Sequence, residues 1–485
     1  MLEKDLSLSP YSTIPKNNPH AVGVHFESLE DVRWYEECNP EVLLHIYWKG
    51  YHRFSENIFN KKIKECLKEK YSIEGHTCIL NDENALRLFK ERFHNKLFSV
   101  INEGSISVIY NISHFNEEVK KFLQHTGIGI SSRASESYMI GENNRVFPKQ
   151  EKYIKDVLWD IYGASAEDVL LSSNGMSAMY SIFNSLNQID EWKNRKSWCQ
   201  FGWLYLDTGE ILSKYSKKSV FISDIHNFKE LENNFASGSI KSLITEVPTN
   251  PLIQVPDLDR LSKLCKKYEV VLVLDTSLWT WVNLDVLKYA DIVVESLTKF
   301  ASGSGDLMSW AIVLNEKSSF YTMLKDRVPE NIVSPDGVTV KRLSGLIGSY
   351  ENRMERISEN TLQLTERLEK LEGISKVHYP YSSDSKENYQ KIERYPWAVG
   401  WVISIEFEWD FEKIYDALKL PKWPSFWMEK TMAMPYVYLA HYDLIQTEKW
   451  REYLKDNGLN PDLLRLSVWL EDPDDVYEII KEAVV

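Results

Sequence analysis

A chain of 485 residues exceeds what one small core usually holds, so about two or three packed units are expected. Its 43% apolar and 26% charged content is that of a folded globular protein. The formal charge of −14 argues against binding a nucleic-acid backbone, which needs a basic surface. The five cysteines (Cys38, Cys66, Cys78, Cys199 and Cys265) form no CxxC pair, so neither a zinc site nor a disulfide framework is suggested. The opening MLEKDLSLSP lacks the apolar run of a signal peptide, and no stretch approaches the roughly 18 consecutive apolar residues of a membrane helix. A cytoplasmic protein with no membrane partner is the expectation. Tryptophan is the unusual component, at 16 residues.

Residues 1 to 125 read as a mixed N-terminal extension, in which KKIKECLKEK has the pattern of a solvent-facing helix. From 126 to 350 short apolar runs alternate with amphipathic stretches: DVLLSS, SVFISDI, SLITEV, VVLVLD, DIVVES and SWAIVL. Continuous apolar strands separated by helices predict an α/β unit with a mostly parallel sheet covered on both faces, whose ligands sit at the carboxyl ends of the strands. Residues 351 to 485 predict a smaller α+β domain. It has a helix over SENTLQLTERLEKLEG closed by Gly373, a strand in WVISIEFEW, a Pro- and Trp-rich loop, RLSVWLED and a closing helix.

The chemistry concentrates at strand ends. VVLVLD finishes on Asp275, and DIVVES leads through Ser296 and Thr298 to Lys299. A buried acid, two hydroxyls and a lysine at one sheet edge match the needs of pyridoxal phosphate (PLP): an amine for its aldehyde, a carboxylate for its pyridine nitrogen and hydroxyls for its phosphate. From these residues alone a capping Asp275 and an exposed Lys299 are equally ordinary. Upstream, DVLLSSNGMSAMYSIF is a strand, a turn and a helix start. There Gly175 lets the backbone approach a ligand closely and the helix N-terminus offers N–H groups to an anion, a weak signal by itself. In TEVPTNPLIQVPDL, Asn250 is a candidate donor to a cofactor or substrate oxygen, or simply a turn-forming Asn-Pro. Arg465, set among apolar neighbours in LLRLSVWLED, suits the bidentate recognition of an amino-acid carboxylate.

In this order SSNGMSA, TEVPTNPL, the strand ending in Asp275, SLTK and RLSVWLED resemble the Cys/Met-metabolism family of PLP enzymes, in particular long fungal-type cystathionine γ-synthase-like proteins. The N-terminal NPHAVGVHFESLEDVRWYEE and GYHRF extend the likeness nearly end to end. The resemblance implies an aspartate-aminotransferase-like major domain and γ-replacement or γ-elimination on an activated homoserine-like amino acid. A C–S or C–X lyase of specialised metabolism is the alternative.

It also implies that Lys299 attaches PLP and Asp275 pairs with the pyridinium. Gly175, Met176, Ser296 and Thr298 would hold the phosphate, Tyr205 would stack on the ring, and Asn250, Arg465 and Ser425 would bind oxygens of cofactor and substrate. Arg145 would reach a phosphate shared between subunits, implying a homodimer or homotetramer. Asn143 stands where the family has a tyrosine, and Tyr138 is a possible substitute. Trp423, Trp427, Trp469 and the pair Ser309-Trp310 stand where the branch pattern has glycines, which predicts a reshaped pocket lined by indoles.

Overall fold

The computed structural model describes residues 18–21, 25–37, 56–112, 117–142, 146–189, 192, 194–382, 384–426 and 428–485. Among these residues fourteen strands fall into three sheets. β1 (Thr77–Leu80), β2 (Ser99–Glu103) and β3 (Ile106–Tyr110) make a small antiparallel sheet in the order β1-β3-β2. The predominantly polar composition of the extension had hidden this sheet. KKIKECLKEK lies in the helix Ile58–Tyr71, which is not wholly solvent-facing because Ile63 and Leu67 are buried.

The central sheet contains β4 (Val169–Ser172), β5 (Ser197–Phe201), β6 (Lys218–Ile222), β7 (Ile240–Glu246), β8 (Val271–Asp275), β9 (Ile292–Ser296) and β10 (Trp310–Leu314). Their spatial order is β4-β10-β9-β8-β7-β5-β6. β5 to β9 pair in parallel, whereas β10 runs antiparallel to both β9 and β4, so the sheet is mixed at that side. β5 was not anticipated, because Ser197 and Gln200 interrupt the apolar run, yet Trp198, Cys199 and Phe201 are fully buried.

Alternation along the strands divides two cores. Ile244, Val271, Val273, Ile292, Val294 and Ile312 face the largely buried helix Gly175–Asn187. Leu243, Leu272, Leu274, Val293, Ala311 and Val313 face the opposite side and share one cluster with the C-terminal part.

The third sheet is antiparallel, in the order β11-β12-β14-β13, from β11 (Ile374–His378), β12 (Val402–Phe407), β13 (Met432–Pro435) and β14 (Leu464–Ser467). The preceding helix spans Tyr350–Leu368 and ends before the predicted Gly373, which instead takes a left-handed turn (φ +91°) leading into β11.

The N-terminal helix Leu29–Glu36 docks on the C-terminal part. Arg33 forms two hydrogen bonds with Glu412, at 2.9 and 2.6 Å, and the Leu29 N–H donates to Asp416 at 2.8 Å. Cys66, Cys78, Cys199 and Cys265 are free thiols, and Cys38 lies outside the described residues. Among the described residues no helix is long and apolar enough to cross a membrane.

Candidate active site

Three adjacent parallel strands end in polar residues at the same edge. β7 finishes on Glu246, β8 on Asp275 and β9 on Ser296, with Glu246 directly opposite Asp275 in the ladder. Asp275 is buried and accepts the Ser277 N–H at 2.9 Å, while the Ser277 hydroxyl accepts the Ser296 N–H at 2.9 Å. The turn after β8 therefore ties the two strand ends together.

Burial raises the Asp275 carboxyl, and Ser277 and the Lys299 charge pull it back down. Glu246 is raised by burial first and by Asp275 second, against the Tyr205 N–H, Lys299 and Arg465. Two buried carboxyls side by side resist double ionisation. Burial and the neighbouring Asp275 carboxyl push Glu246 up to about 8.

Lys299 lies in the tight turn Leu297–Ala301 directly after β9, where the backbone leaves helical geometry at Lys299 itself (φ −82°, ψ −113°). Its Nζ lies 5.0 Å from the ring centre of Phe426. Arg465, in the middle of β14, is buried, and its Nη1 donates to Asn250 Oδ1 at 3.2 Å. The guanidinium carbon is 4.0 Å from the Phe426 ring centre and 5.1 Å from that of Tyr436. One aromatic ring thus touches both Lys299 and Arg465, which come from different sheets.

The other anticipated residues fall at varied distances from this centre. Gly175 opens the helix Gly175–Asn187, whose N-cap Asn174 accepts the Ser177 N–H, and Met176 is partly buried beside it. Thr298 is occupied within the chain: its hydroxyl donates to the Ser309 carbonyl at 3.2 Å and accepts the Ser309 N–H at 3.1 Å. Tyr205 is 39% exposed, and its N–H donates to Glu246 at 2.5 Å. Ser425 is buried next to Phe426 in sequence.

Three of the four anticipated indoles lie among the described residues. Trp310 stands in register with Ser296 and Ser172 and packs on Gly175, where an added Cβ would lie 2.6 Å from the ring. Trp469 packs on Phe300 and against Gly303, in the segment following Lys299. Trp423 is fully buried in the main core, and its indole N–H has no partner among the described residues. Arg145, Asn143 and Trp427 lie outside the described residues, and Tyr138 packs on the small N-terminal core.

Two residues central to this arrangement escaped the sequence reading. Glu246 carried a usable signal, since it ends SLITEV as Asp275 ends VVLVLD. Phe426 carried none beyond its place in the tryptophan-rich loop.

The edge has the chemistry of a PLP cradle. The Ser296 and Ser177 hydroxyls are buried with no partner among the described residues, one at the end of β9 and the other in the first helical turn. Orphaned buried hydroxyls beside a helix N-terminus suit a phosphate. A buried carboxyl at the end of β8 suits a protonated pyridine nitrogen.

The Cys/Met metabolism PLP-dependent enzyme family matches residues 106–485. This chain belongs to that family.

Its relatives include an L-2-amino-4-chloropent-4-enoate dechlorinase/desaturase from Streptantibioticus cattleyicolor, 28% identical over 481 residues, with 96% of each chain covered. The cystathionine gamma-synthase of Neurospora crassa is 30% identical over 346 residues, covering 69% of this chain and 54% of that one. A cystathionine gamma-synthase-like enzyme of Amanita muscaria is 28% identical over 394 residues, covering 74% of this chain and 62% of its own.

In fold the chain is similar to a Micromonospora echinospora gamma-lyase (TM-score 0.60, 19% identity, 70% of this chain and 88% of that one). The cystathionine gamma-lyase of yeast gives a TM-score of 0.59 at 22% identity, over 68% and 84% of the two chains. Members of the family are PLP-dependent enzymes of transferase or lyase type, and the relatives of this chain span cystathionine gamma-synthase-like and dechlorinase/desaturase enzymes.

Proposed function

We propose that this enzyme binds pyridoxal phosphate at the carboxyl edge of β7, β8 and β9 and eliminates a leaving group from Cγ of a small α-amino acid. The observation that carries the reading is the placement of Lys299 and Arg465 in contact with one ring, within electrostatic reach of the Glu246–Asp275 pair. Bound PLP supplies an electron sink for negative charge developed along the substrate carbon chain. Ser296 and the N–H groups of Gly175 and Met176 would hold its phosphate, Tyr205 would cover its ring, and Asp275 would keep the pyridine nitrogen protonated.

Arg465 and Asn250, with Ser425 beside them in this reading, would hold the substrate carboxylate. The Lys299 amine, once displaced from the cofactor, would move protons at Cα and Cβ. The end-to-end likeness to the dechlorinase/desaturase supports a halide as leaving group. The C–Cl bond breaks with its electron pair on chloride, a carbon-bound proton is taken up by base, and the product is the substrate less HCl. The fungal relatives favour a second reading, replacement at Cγ by a thiol such as cysteine.

The proposal includes a cytoplasmic homodimer or homotetramer with its phosphate site shared through Arg145. The three separate sheets support a division of the chain near residues 125 and 350.

The test is to incubate purified protein with L-2-amino-4-chloropent-4-enoate and with O-acetyl-, O-succinyl- and O-phosphohomoserine, each with and without cysteine. Chloride release with loss of HCl from the substrate mass is the expected result, and cystathionine formation would favour replacement instead. The protein is expected to show an absorbance band near the visible edge that Lys299→Ala loses. A colourless wild type that takes up no added PLP would overturn the reading.

A further inference from the structure

Phe426 is within contact of both cations of the site. Its ring centre is 5.0 Å from Lys299 Nζ and 4.0 Å from Arg465 Cζ. Behind it stands a wall of other aromatics. Trp401 meets it edge to face at 4.7 Å, Phe300 lies on Trp401 at 4.0 Å, and Trp469 lies on Phe300 at 5.3 Å. Trp401 is fully buried and Phe300 and Trp469 nearly so, so the space behind Phe426 is filled. A close-packed interior gives little way, and the ring has no room to retreat inward. Its two cation contacts favour the same position from the site side. Arg465 stacks on Phe426 and Tyr436, and its N–H groups reach Asn250 Oδ1 and the Met434 sulfur.

We propose that Phe426 is the specificity-determining residue of this site, a gauge that limits how long a side chain fits between the carboxylate on Arg465 and the amine of Lys299. A short, flat, unsaturated chain fits against the ring face. A side chain the length of cystathionine, with its second amino-acid group, does not. The gauge rests on the functional reading above and deepens it. By excluding a second amino acid from the reacting carbon, it turns the site away from replacement and toward elimination.

The test is binding and partition together. Calorimetric titration of the PLP-loaded protein with L-norvaline and with L-cystathionine is expected to show norvaline bound at least about 10-fold tighter, the scale by which a pocket discriminates small differences of side-chain size. Phe426→Ala and the milder Phe426→Leu are expected to narrow that ratio to within about 3-fold. With O-succinylhomoserine and cysteine, both variants are expected to form cystathionine that the wild type does not.

If both variants keep the wild-type ratio and form no cystathionine, the gauge is wrong. Phe426→Leu preserves the test where Phe426→Ala does not fold. A wild type that binds norvaline and cystathionine equally defeats the gauge alone, whereas a wild type that binds neither defeats the functional reading itself.

Discussion

Arg465 shows how a single side chain is committed by its surroundings. Its N–H groups reach Asn250 Oδ1 at 3.2 Å and the Met434 sulfur at 2.6 Å, and its faces are covered by two rings. A lysine offers neither the planar fork nor a face that stacks. Arg465→Lys is therefore expected to raise KM for amino-acid substrates by about 100-fold with a much smaller change in kcat, the loss of a bidentate charge-assisted contact. Steady-state kinetics checks this, and an unchanged KM would remove Arg465 from the carboxylate site. The residue types of Lys299, Asp275 and Arg465 were legible in the sequence because each is out of place in an apolar strand context. Phe426 was not, since a phenylalanine in a loop is ordinary until both cations are seen against it.

At the level of elements, the contact between β10 and the helix Gly175–Asn187 is set by one pair. Trp310 lies where only a residue without a Cβ leaves room, and a methyl at Gly175 would sit 2.6 Å from the indole. Gly175→Ala is expected to destabilise the protein by about 1–3 kcal/mol, the usual cost of overpacking. In a Trp310→Gly background the same change is expected to reverse sign and stabilise by up to about 1 kcal/mol, because alanine is the better helix residue once the clash is gone. Urea unfolding of the four members of this cycle measures the coupling. A cost for Gly175→Ala that is the same in both backgrounds would show that the indole is not the cause. The strand-to-helix turn itself was readable from SSNGMSA. The antiparallel direction of β10 was not, because a buried strand has the same apolar pattern whichever way it runs.

Over the whole molecule, buried acids tie distant segments together. Asp306 accepts hydrogen bonds from Ser304 at 2.6 Å, Asn18 at 2.9 Å and Arg133 at 2.6 Å, and lies 3.2 Å from Arg342. It thereby joins the N-terminal segment, the helix Ser132–Met139, the loop beyond Lys299 and the helix Gly337–Ser344.

Glu295 is the opposite case. It is fully buried in β9, and it accepts the Trp281 N–H at 2.8 Å and the Tyr350 hydroxyl. Burial pushes its carboxyl up from 4.5 to about 8. Below pH 4.5 folded and unfolded chains both hold the proton. Between 4.5 and about 8 only the folded chain does, so stability falls as pH rises through that window. Glu295→Gln, neutral throughout, is expected to remove a decline on the order of 3 kcal/mol between pH 5 and 8. Chemical denaturation at a series of pH values checks it, and identical slopes for wild type and variant would refute it.

By itself the sequence determined the class of fold and, through the resemblance of its motifs, the family. These depend on local pattern: apolar runs that must be covered on both faces, and reactive side chains placed where such runs stop. Only the tertiary structure decided which of those residues meet. Arg465 belongs to a different sheet from Lys299, and no local pattern in the chain records their separation in space. Tertiary packing also decided what each described tryptophan meets: Trp310 the helix start, Trp469 the rings and glycine beyond the lysine, and Trp423 the main core. An indole is buried wherever room exists for about 200 Å² of apolar surface, and that room is a property of the packed whole.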